Sequence, residues 1–129
     1  MISTNAFDYI NVLDKAADAS WTRESLIANN IANADTPGYK RQDIDFQAAL
    51  QKELGRYHYA SLDHKMLDVD LRQLNPEVYT DHGNYSYRLD GNNVDIDTEQ
   101  VELASEQIKY QALTTSISSE FERLRSVLK

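Results

Sequence analysis

The sequence predicts a mainly α fold: an elongated, coiled-coil-like pair of long N- and C-terminal helices, joined by an irregular middle region with room for one short β-hairpin. Three observations carry this. Residues 5–33 and 98–129 contain no Gly or Pro. Within both stretches apolar side chains recur in steps of three and four, which is the period of one helical face. All the glycines and prolines (Pro37, Gly38, Gly55, Pro76, Gly83 and Gly91) fall between them. The expected organisation is a single elongated domain with an N-terminal helix over 1–34, a middle region over 35–97 and a C-terminal helix over 98–129.

In the first helix the seam runs Ile10, Leu13, Ala17, Ser20, Ile27 and Ile31, interrupted at Glu24. It must stop near Asn33, because Thr36-Pro37-Gly38-Tyr39 follows. Proline fixes φ at the first central position of a turn, and glycine tolerates the positive φ that a type II turn needs at the second. A short helix around Phe46, Ala49, Leu50 and Leu54 comes next and ends at Gly55. Residues 56–97 hold five of the eight tyrosines and the turn formers Gly83-Asn84 and Asp90-Gly91-Asn92-Asn93. This stretch reads as loop with one hairpin, its strands near 77–80 and 85–89. In the last helix Leu103, Tyr110, Leu113, Ile117, Leu124 and Val127 fall on heptad positions, with Glu106 and Glu120 as polar interruptions. Asp97 or Thr98 is the expected cap, and Glu99 and Glu102 sit where the helix dipole favours negative charge.

Helices of that length would run roughly 44 and 48 Å at the α-helical rise. A compact chain of this size has a radius of gyration of about 14 Å. Such helices therefore pair with each other or with neighbours, since a two-in-seven apolar stripe cannot be buried on a small globule.

With 129 residues, 14.8 kDa and a formal net charge of -8, the chain is a poor partner for nucleic acid or an anionic membrane. The 13 cations are scattered and form no basic patch. Cysteine is absent, which excludes disulfides, thiolate metal sites and thiol nucleophiles. His58, His64 and His82 lie near Asp63, Asp68, Asp70 and Asp81 but show no metal-ligand spacing. A metal-dependent hydrolase using His64, Asp68 and His82 is accordingly the weakest reading. The run from Asp90 to Glu99 has the composition of a calcium loop, but Ser86 and Arg88 would stand where the first and third ligands belong. Asn84-Tyr85-Ser86 is a glycosylation pattern by chance. No glycine cradle or serine-nucleophile motif occurs. The expectation is a non-enzyme without catalytic residues, cofactor, metal or small-molecule substrate. The start, Met1-Ile2-Ser3-Thr4-Asn5, has no basic region followed by an apolar run, so any export is expected to proceed without a cleaved signal.

Three asparagines in five residues, Asn29-Asn30-Ile31-Ala32-Asn33, exceed what ending a helix requires, since one suffices. Asn on a helical seam can fix register through side-chain hydrogen bonds. Ala28-Asn29-Asn30-Ile31-Ala32-Asn33 with Thr36-Pro37-Gly38-Tyr39-Lys40 resembles the N-terminal signature of the bacterial flagellar rod and hook protein family. Asp90-Gly91-Asn92-Asn93-Val94-Asp95 followed by Lys109-Tyr110-Gln111-Ala112, together with the length, resembles the B-type proximal rod members. The resemblance covers nearly the whole chain, least specifically over 56–85.

The resemblance implies an axial structural subunit. Such a protein passes unfolded through the flagellar type III export apparatus and polymerises in the periplasm at the base of the drive shaft, around the export channel. Its implied partners are copies of itself, other rod proteins, and the membrane-ring and export-gate components. The subunit interface is expected at Ile10, Leu13, Ala17, Ile27, Asn30, Ile31 and Asn33 of the first helix. On the last helix it is expected at Leu103, Tyr110, Leu113, Ile117, Leu124 and Val127. Thr36, Pro37, Gly38 and Tyr39 are expected to form a joint. The alternatives are a C-type proximal rod protein and a cytoplasmic coiled-coil adaptor.

Overall fold

A computed structural model describes residues 5–56, 58, 61–83 and 88–129. It is mainly helical. The elements in order are α1 (Asn5–Ala32), β1 (Gln42–Asp43), α2 (Phe46–Leu54), α3 (Leu62–Leu67), a 3-10 helix (Leu71–Leu74), β2 (Tyr79–Thr80) and α4 (Ile96–Val127). The chain forms two compact units, and each long helix contributes one stretch to each of them.

The first unit contains residues 1–19, 45–76 and 111–129. Its α2 starts at Asp45, whose side chain accepts from the Ala48 N–H at 2.9 Å, a cap that contributes about 1 kcal/mol. It ends at Gly55 in ordinary right-handed conformation, as the breaker signal indicated. α3 and the 3-10 helix replace what the sequence reads as loop. At six and four residues they are too short to show a period, and their starts are set by side-chain caps, Ser61 to the His64 N–H and Asp70 to the Arg72 N–H. α2 packs on the 3-10 helix, burying Leu74. The buried Glu53 carboxylate accepts from the Asp70 N–H at 3.1 Å and from Arg56 at 3.2 Å. Tyr9 donates to Asp63 at 2.7 Å, tying α1 to α3. Ile10, Val12 and Ala17 supply the apolar core from α1.

The second unit contains residues 20–44 and 77–110. β1 and β2 pair antiparallel with Gln42 opposite Thr80 and Asp43 opposite Tyr79. The strand expected near 77–80 is thus present, but its partner lies before α2. The other expected strand, near 85–89, falls mostly outside the described residues, and residues 88–90 form a turn. α4 starts two to three residues earlier than the sequence suggests. Asp95 accepts from the N–H groups of Asp97 and Thr98 at 3.1 and 3.3 Å, so it is the cap in place of Asp97 or Thr98. The core of this unit is small. Ile27, Ala34, Ile44 and Val94 are its buried apolar residues, set among Ser20, Asn30, Asp43, Asn92, Glu99 and Glu106. A core this polar requires that every group find a partner.

Among the described residues, no helix is long and apolar enough to cross a membrane.

Candidate functional site at the joint

The second unit is built around the turn that ends α1. α1 closes with bonds from Asn33 N–H to the Asn29 carbonyl and from Ala34 N–H to the Ile31 carbonyl, at 3.1 and 3.2 Å. The Thr36-Pro37-Gly38-Tyr39 turn then forms as expected. Tyr39 N–H donates to the Thr36 carbonyl at 3.2 Å, and Gly38 takes φ of 72°. A side chain at Gly38 would meet no neighbour, so the requirement for glycine is conformational.

A second turn, Arg88 to Asn93, locks onto the first. Gly91 takes φ of 77° and backs onto Gly38, and the Gly38 N–H donates to the Asp90 carbonyl at 2.7 Å. The buried Asn92 amide donates to the carbonyls of Asn33, Ala34 and Thr36, each at 2.9 Å. It therefore satisfies backbone acceptors that the end of α1 leaves open. Arg88 also reaches the Ala34 carbonyl, and Lys40 reaches that of Gly91. Asn93 accepts from Arg41 N–H and donates to the Asp81 carbonyl, both at 2.8 Å.

Asn30 is the hub between elements. Its amide donates to the Gln42 carbonyl at 2.9 Å and to Glu99 at 3.3 Å, and its oxygen accepts from Gln42 N–H at 2.9 Å and the Tyr39 hydroxyl at 3.1 Å. Both donors and both lone pairs are used inside the chain. Asn33 acts locally, donating to the Asn29 carbonyl at 2.9 Å and accepting from Thr36 at 3.2 Å.

Beneath the joint lies a buried ionic network. Arg23 forks onto Asp43 at 2.8 and 3.2 Å and reaches Glu106 at 2.8 Å and Glu102 at 3.0 Å. Ser20 donates to Glu106 at 2.6 Å. Arg41 bonds Glu99 at 2.6 Å, Asp43 at 3.1 Å and Asp81 at 3.4 Å. Burial raises the Asp43 pKa, but bonds from Arg23, the Ile44 N–H and Arg41 outweigh it and hold the carboxyl below its usual range. The bond to Asp43 raises the Arg23 pKa more than burial lowers it. For Arg41 burial is the largest influence and lowers the pKa, yet Glu99 and Asp43 together bring it above the usual value. Tyr39 is raised by burial and by the charge of Glu99. Charge-assisted, bidentate bonds of this kind fix geometry, and such pairs specify an arrangement more than they add net stability.

The residues expected at an interface are placed as follows. Ile10 and Ala17 are buried in the first unit, and Ile27 and Asn30 in the second. Leu13, Ile31, Asn33, Leu103, Tyr110, Leu113, Ile117 and Leu124 are half-buried, and Val127 is exposed. Of the joint residues, Thr36, Pro37 and Gly38 are exposed and Tyr39 is half-buried. Arg23, Arg41, Asp43, Glu99, Glu106 and Asn92 are missed by the sequence reading as functional residues. The available signal was Glu106 interrupting an apolar seam, since a charge on a buried stripe needs a buried partner. Among the described residues, no group of three or more His, Asp or Glu side chains could hold a metal ion.

The two turns thus lock the end of one long helix to the start of another. Residues 11–40, from within α1 to the Pro-Gly turn, match the family described as flagella basal body rod protein. The flagellar basal body rod protein FlgB of Bacillus subtilis is 38% identical over 119 residues, covering 92% of both chains. Those of Proteus mirabilis and Escherichia coli K12 are 38% and 32% identical, with 83% of both chains covered in each case. The chain belongs to the flagellar basal body rod protein family, in its FlgB branch.

Proposed function

We propose that the chain is a structural, non-enzymatic subunit of the flagellar basal body rod, placed in its proximal part and polymerising through its terminal helices. The observation that carries this is the match to the FlgB protein of Bacillus subtilis over 92% of the chain, together with the family match over residues 11–40. A structural role is supported by the polar network in which Arg23 and Ser20 of α1 bond Glu106 of α4 and Asn30 of α1 bonds Glu99 of α4. The N-terminal, middle and C-terminal segments 1–34, 35–97 and 98–129 are proposed as parts of one assembling body. Its proposed partners are copies of itself, other rod proteins, and ring and export-gate components. Its proposed place is the periplasmic rod, reached without a cleaved signal.

The half-buried side chains of the α4 seam are proposed to complete their burial against neighbours. Leu113→Asp should leave secretion intact and abolish swimming. The direct test is replacement of the gene in its own bacterium and purification of basal bodies. The reading requires the chain among the rod components and a rod that fails without it. Normal rods and motility in the deletion strain would overturn it.

A further inference from the structure

Among the described residues an uncovered apolar surface lies in each unit, and the two differ in shape and charge. In the first unit Phe7 of α1, Phe121 and Leu124 of α4 and Leu128 just beyond it line a groove whose rim is Arg125 and Lys129. Among the described residues neither cation has an ion-pair partner. In the second unit the outer face of α4 presents Val101, Ala104 and Ile108 at helical spacing, with Asp97 one turn before them. Val101 and Ile108 are each 69% exposed. The opposite face of the same stretch is fixed by Glu99 and Glu106 in the ionic network, so Val101 and Ile108 cannot turn inward. A rigid helix with anchors at i, i+3 and i+7 is the complement of an apolar groove, and an acid leading it complements a basic rim.

We infer that these surfaces are the two halves of one contact between copies of this chain: the Val101–Ala104–Ile108 face of one subunit enters the Phe7–Phe121–Leu128 groove of the next. This rests on the rod-subunit reading and specifies how its copies join. The contact is heterologous, since the two patches differ, and a heterologous contact that does not close generates an open helical polymer. It leaves one groove free at one end of the stack and one helix face free at the other. Each end is then a site for a further copy.

The chain has no cysteine, so the contact can be tested by pairing two single variants, Ile108→Cys and Leu128→Cys, in full-length protein. Coexpressed in the native bacterium and oxidised, they should form a mixed disulfide dimer, while neither variant alone should. Arg125→Glu on the Leu128→Cys chain should lower the yield about tenfold, and Asp97→Lys on the Ile108→Cys chain should restore it, as expected when one close ion pair is reversed and then repaired. Crosslinking of either cysteine mainly to a different protein, or equal homodimers from each variant, would overturn the proposal. Basal bodies from the same cells separate the two levels. The chain present in them without the 108–128 crosslink defeats this contact and leaves the rod reading intact, and the chain absent from them defeats both.

Discussion

Asn30 shows how a single side chain holds this fold. It is fully buried and makes four hydrogen bonds to three partners. Alanine is the better helix former by a few tenths of a kcal/mol. The substitution nevertheless strands the Gln42 N–H and the Tyr39 hydroxyl, both half-buried, together with part of the Glu99 and Gln42 acceptors, and an orphan shielded from water costs about 1–3 kcal/mol. Asn30→Ala should therefore destabilise by about 3 kcal/mol, and Asn33→Ala by about 1 kcal/mol, as read by urea unfolding followed through Trp21. That residue, the only tryptophan, lies 5.8 Å from the Tyr110 ring within the same unit. Equal and small effects would return the cluster to simple helix termination. Asp43 makes a pH prediction. Its folded pKa lies below the unfolded value of about 3.9, so its contribution is complete above that value and is lost as pH falls through it toward the folded pKa. Acidification below about pH 4 should shift the Trp21 signal, and Asp43→Asn should remove that dependence while weakening the unit at neutral pH. The three asparagines were legible in the sequence as more than a cap. Their partners were not, because Glu99 lies 69 residues beyond Asn30 and Asn92 lies 59 beyond Asn33, and nothing local announces a long-range hydrogen bond.

Among the elements, the long helices were legible because 28 and 32 residues give a period many turns in which to repeat. The Pro-Gly turn was legible because its chemistry is local. β2 was legible only as a strand tendency. A two-residue ladder carries no register signal, so its pairing to β1, across α2, α3 and the 3-10 helix, was hidden. The two halves of α4 are held unequally. Residues 96–110 are anchored by Glu99 and Glu106. Further on, the run 114–119 contains Thr, Ser and only one aliphatic residue, all mediocre helix formers. Thr114 and Ser116 even bond back to the carbonyls of Gln111 and Ala112 at 2.9 Å, a habit that offers the backbone alternatives to the helix. Amide exchange on the dilute monomer should show slow residues before about 110 and fast ones over 111–128, slowing on assembly. Strong protection of 111–128 in the free monomer would show that α4 needs no neighbour.

At the scale of the whole molecule, the chain divides its side chains between two tasks. Buried polar residues such as Asn30, Asn92, Glu99 and Glu106 spend their hydrogen bonds inside the chain, and large apolar groups such as Trp21, Val101, Ile108, Phe121 and Leu128 stay uncovered. Soluble monomers carry such groups singly, while rows of them mark association. The -8 net charge keeps the free subunit dispersed. The expected consequence is a protein that is marginal alone and ordered in its polymer. The arrangement built by Asn30, Asn92 and the two glycine turns is expected to be the form the subunit holds inside the rod. A density map of the purified basal body tests it most directly. The map should show rod subunits in which the Asn92 amide sits under the turn ending α1 and Arg23 bridges Asp43 and Glu106 within one chain. A rod subunit of this sequence with α1 and α4 parted at that point, or a rod that lacks the chain, would contradict it.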